Sequence, residues 1–136
     1  MDKILRIGPP QAFGVSDGLY SFVVRLNEAP AEHWVYSFKL ATPVTREFDP
    51  ERVVFDPQRG LLFESEESLV PGWIDHIDLW TASANTRVAV DEAAEEKRRT
   101  EAQNREARDL LLSRINEKFK DLKPYFHVDS GRIPVS

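Results

Sequence analysis

The chain has 136 residues, 41% hydrophobic and 10% aromatic, which is enough for one core with an appendage and excludes a disordered composition. Its net charge of −5 and pI near 5.2 oppose general affinity for a phosphate backbone, which attracts basic patches. There is no cysteine, so a disulfide framework, a thiolate zinc site and a cysteine nucleophile are excluded.

Residues 4–7, Ile-Leu-Arg-Ile, suit a short edge strand ahead of Gly8-Pro9-Pro10. Ser16-Asp17-Gly18 reads as a turn before a strand. Residues 19–26, LYSFVVRL, place Tyr20, Phe22, Val24 and Leu26 on one face at period two. Residues 33–40, HWVYSFKL, repeat the alternation with Trp34, Tyr36, Phe38 and Leu40, and the polar link at 27–32 with Pro30 fits a hairpin loop. A second hairpin is expected from residues 52–55 and 60–64 around Asp56-Pro57-Gln58-Arg59, with Gly60 at a position needing positive φ. An antiparallel sheet of this kind has one apolar face that needs a cover.

Between Gly72 and Pro124 there is no glycine and no proline, and Ala, Glu, Arg, Lys, Gln and Leu predominate. One helix is expected there, beginning at a Ser65 cap or with Pro71 in its first turn. Unbroken, it would be about 75 Å long. Trp73, Ile77, Trp80, Ala84 and Val88 fall on one helical face and should cover the sheet. The small and polar residues 81–86 could break the helix. From Asp91 to Asp109 no apolar residue exceeds alanine. Pairs such as Glu95 with Arg99, Lys97 with Glu101, Glu101 with Arg105 and Glu96 with Arg99 would hold that stretch, at about 0.2–0.5 kcal/mol each. Apolarity returns at Leu110, Leu111, Leu112, Ile115, Phe119 and Leu122, where Leu112, Ile115, Phe119 and Leu122 make a second stripe. Helical geometry puts it roughly 120° from the first.

The expected fold is therefore α+β, an antiparallel sheet of four to five strands packed against the start of a long C-terminal α-helix. Residues 1–90 are expected as the sheet domain with the first part of the helix, 91–124 as a charged helical extension, and 125–136 as an irregular tail.

Motifs for chemistry are sparse. His33, His76 and His127 share no metal-ligand spacing. Asp75-His76-Ile77-Asp78 is the densest titratable cluster and reads as the wet side of a helix. Glu92, Glu95 and Glu96 lack the histidine that a helical carboxylate metal site adds. Gly8-Pro9-Pro10 lacks the Lys-Ser/Thr of a phosphate loop, and Ser16-Asp17-Gly18 is not a nucleophile elbow. No catalytic residue, metal or cofactor is expected. Arg98, Arg99, Arg105 and Arg108 are the positions that could touch nucleic acid, but glutamates interleave with them, so nucleic acid is not the expected partner.

The expected function is a non-catalytic protein-binding module that self-associates, as a homodimer or with another protein, through Leu111, Leu112, Ile115, Phe119 and Leu122. Small size and acidity fit an inhibitor, an immunity protein or a phage-encoded antagonist. The first alternative is a small enzyme or ligand-binding protein with a pocket between sheet and helix near His33, Trp34, Asp75 and His76. The second is a nucleic-acid-associated factor using the helix arginines. No apolar run reaches the length of a signal core or membrane span, and a soluble cytoplasmic protein without a membrane partner is expected.

Overall fold

A computed structural model describes residues 3–122. Its sheet has four antiparallel strands in the order β1-β2-β4-β3. They are β1 (Gln11–Ser16), β2 (Leu19–Val24), β3 (Val54–Asp56) and β4 (Gly60–Ser65). Asp17 and Gly18 join β1 to β2 with φ of 51° and 79°, the positive values that a two-residue hairpin turn demands. Strand β1 carries a bulge between Ala12 and Gly14. Phe22 lies opposite Phe63, and Val24 opposite Leu61, so β2 and β4 present one apolar face.

The expected β3–β4 hairpin forms as the turn chemistry requires. Asp56 Oδ1 accepts from the backbone N–H groups of Gln58 (2.8 Å) and Arg59 (3.2 Å), the local bonding that suits aspartate to a turn. Gly60 has φ of 119°. A side chain there would also run into the Val24 carbonyl.

Residues 4–7 do not add a strand. They hold a single antiparallel bridge, Arg6 with Leu26, while Ile4 is fully buried.

Residues 33–40 are helical rather than extended: α1 spans Glu32–Lys39. Trp34 and Phe38 are four apart, so a period of two and a period of 3.6 both put them on one side. The residues between them decide. Alternation would bury Tyr36 and Leu40, which are 64% and 45% exposed, and expose Ser37, which is 5% exposed. As a helix, the segment stacks Trp34 on Phe38 at 5.6 Å, and the Ser37 hydroxyl donates to the His33 carbonyl. Glu32 lies in the first turn and Lys39 in the last, matching the helix dipole. Lys39 Nζ also donates to the carbonyls of Glu51 and Val53. Partial burial lowers its pKa, against the pull of Glu51 and Asp49.

After a short 3₁₀ turn at Glu67–Leu69, helix α2 runs unbroken over Val70–Phe119. Pro71 falls in its first turn, while the Ser65 hydroxyl donates to the Glu66 carbonyl. The helix continues through residues 81–86. Trp73, Ile77, Trp80, Ala84 and Val88 are all buried, as their spacing predicts. Trp73 stacks on Phe63 at 5.3 Å and meets Trp80 edge-on at 6.1 Å. Trp80 meets Phe38 edge-on at 5.7 Å, and its Nε1–H donates to the Pro43 carbonyl at 2.8 Å. Aromatic rings from α1, α2 and β4 thus fill the core. Internal packing divides the chain into two units, Met1–Glu95 and one beginning at Glu96.

Candidate functional site

Every described residue of the second unit is exposed. Within it, Leu110, Leu111, Leu112, Ile115, Phe119 and Leu122 are 50–71% exposed. Leu112, Ile115 and Phe119 recur at spacings of three and four along α2, with Leu111 on the flank, and make a continuous apolar stripe. Leu122 stands just past the helix end, where its N–H donates to the Phe119 carbonyl at 3.1 Å. Lys118 Nζ lies 5.5 Å from the Phe119 ring centre, and Lys120 pairs with Glu117 at 2.6 Å. The stripe is therefore apolar with a charged border.

Arg98, Arg99, Arg105 and Arg108 are exposed on the same helix. Helical geometry places Arg98, Arg105 and Arg108 on one side, with Arg99 about 100° from Arg98. Arg99 is bonded to Glu96 at 3.1 Å, one of the pairs expected from spacing.

The cluster at 75–78 is not simply the wet side of the helix. Asp78 takes a two-pronged bond from Arg6, with Nε and Nη2 each 2.8 Å from a carboxylate oxygen. That bond raises the guanidinium pKa against slight desolvation. His76 is half-buried, stacked on Phe48 at 4.5 Å, with Nδ1 2.8 Å from the Gly72 carbonyl. His33 is exposed on α1, and His127 lies outside the described residues. Among the described residues, no group of three or more His, Asp or Glu side chains is placed to hold a metal ion.

Asn85 ties the N-terminal segment to α2. Its Oδ1 accepts from Ile4 N–H (3.0 Å) and from Trp34 Nε1–H (2.8 Å), and its Nδ2 donates to the Ile4 carbonyl (2.8 Å). Beside this clamp lies an open groove of about 860 Å³ between residues 3–6 and α2, lined by Leu5, Ala82, Thr86, Ala89, Val90 and Ala93 among others. Sequence reasoning missed it. The only signal was the run of small residues at 81–86, which suggested a helix break and instead lets the N-terminal segment lie close to the helix.

No helix among the described residues is long and apolar enough to cross a membrane. Comparison with protein-family models, with curated proteins and with solved structures finds no match for this chain.

Proposed function

We propose that this protein is a non-catalytic protein-binding module that associates through the stripe of Leu111, Leu112, Ile115, Phe119 and Leu122, with a second copy as its first partner. The observation that carries this reading is the exposure of five large apolar side chains within twelve residues. Fully burying a leucine or phenylalanine contributes about 1.5–3 kcal/mol. Covering the exposed half of five such groups is worth several kcal/mol before the cost of association.

The reading is preferred to a pocket enzyme because Trp34, Phe38, Trp73 and Trp80 fill the space between sheet and helix. The Arg98, Arg99, Arg105 and Arg108 reading gains less support, since Arg99 is engaged with Glu96.

Light scattering tests the proposal at concentrations near 100 μM, where micromolar association is populated. The wild-type mass should exceed that of one 15.6 kDa chain and fall in Phe119→Asp. A mass unmoved by both Phe119→Asp and Ile115→Asp overturns it.

A further inference from the structure

Residues 3–7 lie in the first unit as a bound peptide lies in a receptor. The segment makes one ladder bridge, Arg6 with Leu26, and side chains hold most of its backbone. Asn27 Nδ2 donates to the Lys3 carbonyl (2.9 Å), and Asn27 Oδ1 accepts from the Leu5 N–H (2.7 Å). Asn85, on α2, holds both the N–H and the carbonyl of Ile4. Two main-chain bonds complete the set, from Asn27 N–H to the Leu5 carbonyl (2.9 Å) and from Ile7 N–H to the Arg25 carbonyl (3.0 Å). The side chains alternate. Ile4 is fully buried, whereas Leu5 and Ile7 are 53% and 58% exposed. Arg6 sits in the two-pronged grip of Asp78. Backbone bonds that any sequence can make, joined to specific places for alternate side chains, are how proteins recognise extended peptides. Gly8-Pro9-Pro10 sets the segment apart from β1. Nothing lies within 4 Å of where a Gly8 side chain would begin, and the two prolines have no N–H to offer a ladder. The open groove beside α2 runs along the segment, so one flank of it is accessible to a competitor.

We propose that this is a binding site for an extended peptide with isoleucine and arginine two residues apart, and that residues 3–7 are its resident competitor. The isoleucine fills the Ile4 pocket, the arginine takes the Asp78 carboxylate, and Asn27 and Asn85 hold the backbone. The residue between the two, and the one after the arginine, are free to vary, because Leu5 and Ile7 face solvent. Over residues 1–95 the chain has sixteen Asp and Glu against eight Lys and Arg, a balance that attracts a basic peptide. The occupant is a segment of a partner protein. In a second copy residues 3–7 already make these contacts, so exchange between copies gains no bond and gives up a linked segment's effective concentration, roughly millimolar. A partner peptide meets the same competitor, and its apparent affinity falls in proportion to the fraction of sites that stand vacant. The resident segment therefore sets a threshold, and loosening it turns the site on. This site is separate from the stripe at 111–122.

The test uses the full chain and a fluorescent peptide, Ala-Ile-Ser-Arg-Ser-Gly, which keeps only the isoleucine and arginine of the segment. Binding is read by anisotropy. Ile4→Ala loosens the resident segment and should tighten the apparent Kd about tenfold relative to wild type. Arg6→Ala leaves the core intact and should tighten it about threefold by the same competition. Asp78→Ala added to Arg6→Ala should cancel that gain, as should a peptide whose arginine is replaced by alanine. A purely structural role for residues 3–7 predicts no arginine-dependent binding to any of these chains. Equal affinity for wild type, Ile4→Ala and Arg6→Ala, or binding indifferent to the peptide's arginine, overturns the inference. Mixing wild-type and Ile4→Ala chains, both carrying Phe119→Asp, identifies the source of the occupant. The mixture should keep the mass of one chain. A one-to-one complex that forms there, but not between two chains with Ile4 intact, would assign the vacated site to a second copy and overturn the partner peptide.

Discussion

Removing the Asn85 amide offers the sharpest test of how the first unit is closed. Asn85→Ala deletes three hydrogen bonds at once, two to the Ile4 backbone and one from Trp34 Nε1. Each contributes about 0.5–1.5 kcal/mol net. The loss is larger where a group is stranded, and Trp34 is 1% exposed, so its N–H has no route to solvent. Ile4 is likewise fully buried, so its backbone N–H and carbonyl would also be left without a partner. The expected loss is about 2–4 kcal/mol, a large share of a typical 5–15 kcal/mol stability. At about 4–8 °C per kcal/mol for a unit of this size, the midpoint should fall by about 10–25 °C. Urea unfolding followed by tryptophan fluorescence measures this directly, since Trp34, Trp73 and Trp80 all lie in the core. Thr86→Ala, one residue along and exposed, serves as the control and should cost under about 0.5 kcal/mol. A loss for Asn85→Ala below about 1 kcal/mol, or equal to the control, would refute the clamp.

Other outcomes follow from the same geometry. Tyr36→Ser should change stability by no more than about 0.5 kcal/mol, because α1 turns Tyr36 outward. A strand there would lose about 3 kcal/mol on truncating that ring, and urea titration separates the two. Gly60→Ala should cost about 3 kcal/mol, from the left-handed φ and the backbone carbonyl of Val24 in its path; a loss under about 1 kcal/mol contradicts the turn. Asp56 is held below the usual carboxylate range by the N–H of Gln58, then that of Arg59, with the Arg59 charge adding. Its contribution is fully present above the unfolded pKa near 3.9 and disappears as pH falls through the lower folded value. The stability gap between wild type and Asp56→Ala should therefore narrow from pH 7 to pH 2. A gap independent of pH would deny the carboxylate any such role.

Much of this architecture can be read in the chain, where a local rule has one solution. Trp73, Ile77, Trp80, Ala84 and Val88 can share a side only on a helix, and burial of that face follows from their size. Asp56-Pro57 and Gly60 carry the β3–β4 turn in their own backbone preferences. Residues 33–40 were ambiguous because a four-residue spacing satisfies both periods, and only packing of Trp34 against Phe38 and Asn85 selects the helix. Strand β1 gave no alternation because all six of its residues are exposed; its pairing with β2 creates it, although Asp17-Gly18 was a usable hairpin signal. The apolar residues at 110–122 were visible as a stripe, but their exposure is a property of the folded chain.

By itself, then, the sequence determined the α+β class, the face that α2 buries and the position of the apolar stripe, because these depend on periodicity and on residues close together. Tertiary structure decided the helical state of α1, the clamp between Ile4 and Asn85 and the groove beside it. Those depend on groups 51 and 81 residues apart along the chain, and no local preference encodes where such groups meet.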